Sequence, residues 1–287
     1  MTRFVAEEHA TERTRDRHLG SATRSTVSEA VSAQSVLGHY ARKQLRCRDP
    51  IIAFSHRRRF QCARRLIREF AGRSLLDYGC GDGTFLALTH DLFPLAVGAD
   101  VDPQQTMDCA RRFTGQSGIA FVMTEDLAQP SHAGAYGVVV CMEVLEHCIE
   151  ERLEAVLREL RRLVASDGIV VISVPIEIGV SLVGKYAIRT VAGWRRLGDY
   201  EYRERYTFGE LRRMILATSA SMIVRPVYRA DFAVDRPNLF HGHKGFNWRR
   251  LRDRLFEDFV LKSVHFSPFG ALGALFNSQV WFVCGPR

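Results

Sequence analysis

Three glycines two residues apart, with a carboxylate just before them, are the feature of this 287-residue chain that says most about its chemistry. The motif runs from Asp77 to Gly83, follows the apolar residues Leu75 and Leu76, and precedes an apolar stretch that opens at Phe85. Glycine is needed where a backbone takes a positive φ, or where a ligand comes closer than a Cβ would allow. A strand, a glycine-rich turn and a helix in this order bring a ligand to the carboxyl end of the strand. The motif therefore predicts a ligand site, although its spacing is not the Gly-x-Gly-x-x-Gly of dinucleotide-binding proteins.

A second carboxylate stands at the end of the next predicted strand. The apolar residues 95–99 end in Asp100, and Pro103 opens the helix that follows. An acid in this position of a nucleotide-binding βαβ unit hydrogen-bonds the ribose hydroxyls. Capping of the following helix is the alternative role, but Asp102, directly before Pro103, is better placed for it. We therefore expect Asp100 to be the ribose ligand.

Three further apolar stretches continue the alternation of strands and helices. They cover residues 119–123, 136–142 and 169–175, and a helix is predicted over about 150–164, before the last of them. Strands that are apolar throughout and alternate with helices are typical of a parallel sheet buried on both faces. The sequence therefore predicts a doubly wound α/β fold.

These motifs, in this order and spacing, resemble the class I S-adenosylmethionine (SAM)-dependent methyltransferases over about residues 73–176. The stretch from Glu143 to His147 after the fourth strand also resembles the motif found there in that family. Within the family the chain moderately resembles the ubiquinone-biosynthetic O-methyltransferases of the type 11 and 12 group. The resemblance implies a Rossmann-like, seven-stranded sheet, mostly parallel with an antiparallel last strand. It also implies a helical N-terminal extension, a substrate-side insertion, and SAM as the cofactor.

The resemblance also implies which residues bind the cofactor. An acid after the third strand accepts from the adenine amino group, and Asp126 stands there with Glu125 as its close competitor. In that family an arginine 18 residues before the acid of the glycine motif binds the methionyl carboxylate. The residue 18 positions before Asp77 in this chain is Arg59. The expected cofactor-binding residues are Arg59, Asp77, Gly79, Cys80, Gly81, Gly83, Asp100, Val101, Glu125, Asp126, Leu127, Cys141, Met142 and Glu143.

Methyl transfer to an oxygen needs a group that takes the acceptor's proton, with a pKa near neutrality. His147 is the first candidate because it follows the fourth strand, and His241 and His243 are the next. A helix-capping or core imidazole is the alternative role for His147. Small-RNA 2′-O-methyltransferases, which carry a similar Glu-x-x-Glu-His run, hold a divalent ion with it and a distant histidine. Because Tyr202 stands about where that histidine should be, we expect no metal site unless His241 or His243 substitutes.

Composition and motif positions divide the chain into five segments. They are a basic tail, predicted to be disordered (1–32), helices over the cofactor site (33–72), the SAM-binding core (73–176), an insertion that caps the substrate (177–245), and a closing helix with strands six and seven (246–287). We expect the last two strands at 260–266 and 279–283, because their connection is short. A sixth strand at 222–228 is the alternative.

The net charge of +8 arises in residues 1–73, which hold 16 Lys and Arg against 7 Asp and Glu. Such a segment could bind nucleic acid, anionic lipid or a phosphorylated substrate, or it could be a solvated tail without a function. We do not expect a nucleic-acid partner, because no basic module with interleaved aromatic residues is visible. Seven cysteines without a Cys-x-x-Cys pair, and no apolar leader or membrane-spanning run, favour a cytoplasmic protein. Peripheral contact with the inner face of a membrane is compatible with this, and the oligomeric state is not indicated.

We expect methyl transfer to a hydroxyl of a small, lipid-like or glycan-linked acceptor. The insertion alternates cationic, aromatic and apolar residues, which suits an amphiphilic acceptor. An RNA methyltransferase and a non-catalytic SAM-fold binding protein are the alternatives. The intact acids Asp77, Asp100 and Asp126 argue against the non-catalytic one.

Overall fold

The computed structural model describes residues 38–41, 45, 50–194, 206–230 and 238–287. Within these ranges the strands are β1 Leu75–Tyr78, β2 Ala96–Asp100, β3 Ile119–Met123, β4 Tyr136–Met142, β5 Val164–Pro175, β6 Val227–Ala230, β7 Asn238–His241, β8 Phe259–Ser267 and β9 Gln279–Pro286. Seven of them form one sheet, in the order β3-β2-β1-β4-β5-β9-β8, while β6 and β7 form a separate hairpin. Strands β1 to β5 are parallel, and β9 runs antiparallel to both β5 and β8.

Helices of the described residues cover both faces of the sheet. They are α1 Pro50–Ile67, α2 Thr84–Thr89, α3 Pro103–Arg112, α4 Glu150–Leu163, α5 Ser181–Trp194, α6 Phe208–Ile215 and α7 Trp248–Asp258. None of them is both long enough and apolar enough to span a membrane. As predicted, Asp102 caps α3, where its carboxylate accepts from the backbone N–H groups of Gln104 and Gln105 at 2.8 and 3.4 Å.

Two apolar layers sandwich the sheet. On one side Val139 and Cys141 of β4 pack with residues of α4 and α7, and on the other Val138 and Val140 pack with residues of α1 and α2. All four β4 side chains are fully buried. A strand with both faces buried must be apolar at successive positions, which is why the pattern predicted a parallel sheet.

The predicted fold class is confirmed: a doubly wound, seven-stranded sheet, mostly parallel, with an antiparallel last strand. The bounds of β3 and β4 agree with the predicted ones. The preferred final pair is also confirmed, since β8 and β9 close the sheet. The alternative sixth strand near 222–228 is wrong, because β6 lies in the separate hairpin. The predicted tail 1–32 and Tyr202 lie outside the described residues, and the five-segment division stays a prediction.

Candidate functional site

The glycine turn lies at the carboxyl end of β1. Gly79, Gly81 and Gly83 have φ values of +80°, +52° and +71°, which side chains rarely permit. A Cβ on Gly79 would also come within 2.2 Å of the side chain of Val144. The turn therefore needs glycine for its backbone conformation, and at Gly79 for packing as well.

Asp100 connects the end of β2 to this turn. One carboxylate oxygen accepts from the Gly81 N–H at 2.8 Å and the other from the Asp102 N–H at 3.0 Å. A carboxylate has about four acceptor sites, so these two bonds leave capacity for a ligand hydroxyl. The side chain thus lies where the predicted ribose contact requires it, and that role stays a prediction.

Asp77 is a buried carboxyl group directly beside the turn. Within the described residues neither of its oxygens has a hydrogen-bond partner. Burial raises the pKa of Asp77 to about 8, with further contributions from Asp100 and Asp82. A buried acid without a partner is costly unless something pairs with it, and a cationic ligand such as SAM would favour its ionised form.

The other expected cofactor contacts differ in exposure. Glu125, Asp126 and Val101 are exposed near the ends of β2 and β3, and the Asp126 carboxylate accepts from the Met123 N–H at 3.0 Å. The side chains of Leu127, Cys141 and Cys80 are buried, and Met142 packs partly buried against the sheet. Any contact between a ligand and Leu127 or Cys141 would therefore use the backbone.

Arg59, the expected clamp for the methionyl carboxylate, lies against an acid of the chain itself. Its guanidinium is 3.2 Å from Glu143, and it donates to the Tyr40 hydroxyl at 3.1 Å. Glu143 has a φ of +57°, a strained conformation for a non-glycine residue. Burial alone would raise the pKa of Glu143. The charge of Arg59, followed by that of His243, instead holds this pKa below its usual value. Arg59 and Glu143 thus form a preorganised charged pair just after β4.

The residues before α1 contact the glycine turn, a contact that the sequence analysis did not identify. The Tyr40 N–H donates to Asp82 at 2.7 Å, and Asp82 also accepts from Thr84. The Tyr40 hydroxyl lies 2.6 Å from the His56 ring. Burial, with help from Arg59, lowers the pKa of His56 to about 4, so this imidazole is neutral. Asp82 lies inside the glycine motif, but no sequence motif marks Tyr40 or His56 as residues near the site.

A second group of side chains, Glu146, His147 and His243, meets after β4. The Nε2 atoms of the two imidazoles are 3.2 Å apart, and they lie 3.8 and 3.9 Å from Oε1 of Glu146. Glu146 is fully buried, and neither of its carboxylate oxygens has a hydrogen-bond partner among the residues described. Burial, followed by the charge of Glu143, raises the pKa of Glu146 well above its usual value. We call these three residues the Glu-His-His cluster.

The structure brings together two of the three predicted catalytic histidines. The His241 ring lies apart from this pair, with its Nδ1 2.8 Å from the Pro226 carbonyl, and its catalytic role stays a prediction. His241 contributes its backbone carbonyl instead, 2.8 Å from Nδ1 of His147. The strand β7 ends at His241 and His243 lies in the loop after it, so the two rings do not share the face that strand alternation would give to residues i and i+2. Glu146 was not among the expected site residues, although it belongs to the Glu-x-x-Glu-His run that could have indicated it.

Arg225 fixes the loop that carries His243. Its guanidinium donates to the backbone carbonyls of Glu146 and Gly242, in the latter case at 2.7 Å, and it stacks over the Phe246 ring. One side chain thus joins the turn after β4 to the loop after β7.

Comparison with known proteins agrees with this architecture. A family model described as "Methyltransferase domain" matches residues 54–213, more than half of the chain. The chain is 24% identical over 163 residues to a ubiquinone biosynthesis O-methyltransferase of Bartonella bacilliformis, covering 54% of this chain and 62% of the relative. It is 32% identical over 79 residues to the enzyme of that name from Shewanella halifaxensis, covering 26% and 33%. The matches therefore span less than two thirds of either relative.

Among solved structures, the chain resembles the PH0226 protein from Pyrococcus horikoshii OT3. The TM-score is 0.53 at 15% identity, covering 88% of this chain and all of that one. At this identity the likeness concerns the fold alone. The matched family, the sheet topology and the glycine turn at its carboxyl edge lead to one conclusion: the chain belongs to the family of class I SAM-dependent methyltransferases.

Proposed function

We propose that this enzyme methylates a hydroxyl oxygen of a small, lipid-like or glycan-linked acceptor. The observation that carries the proposal is the Glu-His-His cluster, which gathers two imidazoles and a carboxyl group just after β4. Groups of this kind can take the proton that a hydroxyl loses on methylation. The relatives' name, ubiquinone biosynthesis O-methyltransferase, supports an oxygen acceptor.

The residues at the carboxyl edge of the sheet fit SAM. The glycine turn leaves room for a close ligand, and Asp77 lacks a hydrogen-bond partner among the described residues. We assign the ribose to Asp100 and the adenine to Asp126 or Glu125. When bound, SAM supplies a methyl group already activated on a sulfonium.

The chain itself has to orient the acceptor and handle one proton. Bound SAM would supply the methyl carbon to the acceptor oxygen and would keep the electron pair of the broken carbon–sulfur bond on its sulfur. The hydroxyl proton leaves at the Glu-His-His cluster. Positioning the two reactants supplies much of the rate, so the rigid attachment of His243 through Arg225 matters to the reaction.

The surface beside the cluster suits an amphiphilic acceptor. Lys244, next to His243, lies 5.1 Å over the ring of Tyr206, which in turn packs edge-on against Tyr186 of α5. Val183 and Tyr186 on this helix are 47% and 37% exposed. A wall of aromatic and apolar groups with one cation can hold a lipid-like or glycan-linked molecule with a polar head.

A turnover screen tests the proposal. Production of S-adenosylhomocysteine is measured with catechols, sugar hydroxyls, amines and RNA oligonucleotides as acceptors. We expect turnover with a hydroxyl acceptor, and His147→Ala should lower it by about 100-fold or more without weakening SAM binding. His90→Ala, at the far end of α2, is the matched control. Turnover only with amines or only with RNA would contradict the proposal.

A further inference from the structure

The loop between β8 and β9 presents large apolar side chains to solvent. Four of them are between 49% and 67% exposed: Phe269, Leu272, Leu275 and Phe276. Asn277 holds the loop in this conformation, since its side-chain amide donates to the carbonyls of Phe269 and Gly273 at 2.9 and 2.6 Å. Residues 268–278 contain no charged side chain. Exposed apolar groups gathered on one loop indicate an interaction site.

This loop lies at the same edge of the sheet as the glycine turn. Gln279, the first residue of β9, pairs with both Pro175 at the end of β5 and Ser267 at the end of β8. The loop therefore leaves the sheet at the carboxyl end of the parallel strands. The Gln279 side chain also hydrogen-bonds Glu143, the partner of Arg59. A partner that binds the loop is thus brought to the edge that carries the candidate site.

Arginine side chains of α1 lie beside the loop. The ring of Phe54 packs against that of Phe269 with their centroids 5.9 Å apart, and the Arg58 guanidinium lies 5.3 Å from the centre of the Phe54 ring. An open surface cavity of about 450 Å³ adjoins them, lined by Pro50, Phe54, Arg57, Arg58 and Gln61. Two guanidinium groups next to an apolar ring suit a phosphate group that is attached to an apolar chain.

The exposed face of α1 extends this positive charge. Arg65 and Arg68 lie on the same face as Arg58, about two and three turns further along. The ion pairs of this helix are made by Arg59 and Arg64 instead, so within the part of the chain described these three exposed arginines have no carboxylate partner. A second copy of the chain placed symmetrically on this face would set arginine against arginine. The charge therefore favours an anionic partner, and the loop favours one with an apolar interior.

We propose that the β8–β9 loop, Phe54 and the arginine face of α1 together bind an anionic lipid bilayer. The apolar side chains of the loop enter the acyl region, and the guanidinium groups contact lipid phosphates. Apolar insertion and attraction to anionic lipid are the two contributions that hold peripheral proteins on membranes. One consequence rests on the proposed function: a lipid-like acceptor would reach the site from the bilayer. Binding to the bilayer itself can be measured without acceptor or SAM.

The test is cosedimentation of the full chain with two kinds of vesicle, one of phosphatidylcholine alone and one of phosphatidylcholine with an equal amount of phosphatidylglycerol. We expect binding to the anionic vesicles that weakens as salt is added. The double variant Leu275→Ser/Phe276→Ser should weaken this binding by about 10-fold or more. The double variant Arg57→Gln/Arg58→Gln should weaken it by about 10–30-fold. Circular dichroism shows whether each variant is folded.

Met107→Ser and Arg111→Gln are the matched controls. Both residues are exposed on α3, which lies beside β3 at the other end of the sheet, and Met107 is 54% exposed against 57% for Leu275. We expect both variants to bind anionic vesicles like the wild type.

Absence of binding to anionic vesicles, or equal binding by the folded loop variant, would overturn the proposal. Self-association that the loop variant abolishes, without vesicle binding by the wild type, would overturn it in favour of a second copy on this surface. Turnover of a soluble hydroxyl acceptor by a protein that binds no vesicles would refute this inference alone. Vesicle binding without turnover of any hydroxyl acceptor would refute the proposed function alone.

Discussion

At the scale of single residues, this site is distinguished by two buried carboxyl groups that have no hydrogen-bond partner within the described part of the chain. Asp77 lies beside the glycine turn and Glu146 lies in the Glu-His-His cluster, and both are buried. Stability alone would not favour either of them, because an apolar residue in the same place would avoid the desolvation cost. Positions that break the rules of packing in this way are expected where a protein binds or reacts.

Asp77→Asn should remove a pH dependence of stability. The pKa of Asp77 is raised to about 8 in the folded chain, chiefly by burial. The folded state therefore binds this proton more tightly than the unfolded state. From pH 4 to pH 8 the group lowers the free energy of unfolding by up to about 1.4 kcal/mol per pH unit. Urea denaturation of both ligand-free proteins across this range should show a steeper fall in the wild type. Parallel profiles would show that Asp77 titrates normally.

At the scale of elements, the glycine turn and the hairpin loop fix the two halves of the site. The turn after β1 contacts the residues after β4 through Gly79 and Val144. The loop after β7 contacts the same region through Arg225. Each contact can be tested by one substitution with a control elsewhere in the chain.

Gly79→Ala should destabilise the protein more than Gly72→Ala does. Both glycines have a positive φ, +80° and +85°, so alanine brings a similar backbone strain of about 1–2 kcal/mol at each. Only at Gly79 would the new Cβ meet a side chain, 2.2 Å from Val144, whereas nothing lies within 4 Å at Gly72. Overpacking should add about 1–3 kcal/mol, measurable by thermal or urea denaturation. Equal losses would mean that Val144 moves aside freely.

Arg225→Met should disturb the Glu-His-His cluster and leave the cofactor site intact. The substitution removes the donors that join Glu146 to Gly242 while keeping an apolar chain against Phe246. We expect turnover to fall by about 10–100-fold, with unchanged affinity for S-adenosylhomocysteine. Arg213→Met, exposed on α6, is the control. Unchanged turnover in Arg225→Met would show that the loop holds its position without the hydrogen bonds of this arginine.

At the scale of the whole molecule, local patterns predicted the sheet well. Strands β3 and β4 were predicted with their observed bounds because both are short apolar runs between polar turns. The glycine motif and Asp100 could be placed at one edge because the carboxyl ends of parallel strands meet there. The capping role of Asp102 followed from the proline beside it.

The Glu-His-His cluster could not be predicted in the same way. His243 is 96 residues from His147, and Arg225 is 79 from Glu146. Their meeting depends on how the hairpin of β6 and β7 folds back onto the turn after β4, and no periodicity in the sequence encodes that. The contact between Tyr40 and Asp82 is long-range for the same reason.

Calorimetric titration of S-adenosylhomocysteine into wild type, Asp100→Ala and Asp253→Ala tests the position of the cofactor site. Asp100 lies at the carboxyl edge beside the glycine turn, whereas Asp253 is on α7, outside the proposed cofactor site. Loss of a charged acceptor for the ribose hydroxyls should weaken binding by about 10–100-fold, and Asp253→Ala should bind like the wild type. Equal affinity in all three proteins would contradict the placement of the cofactor at this edge of the sheet.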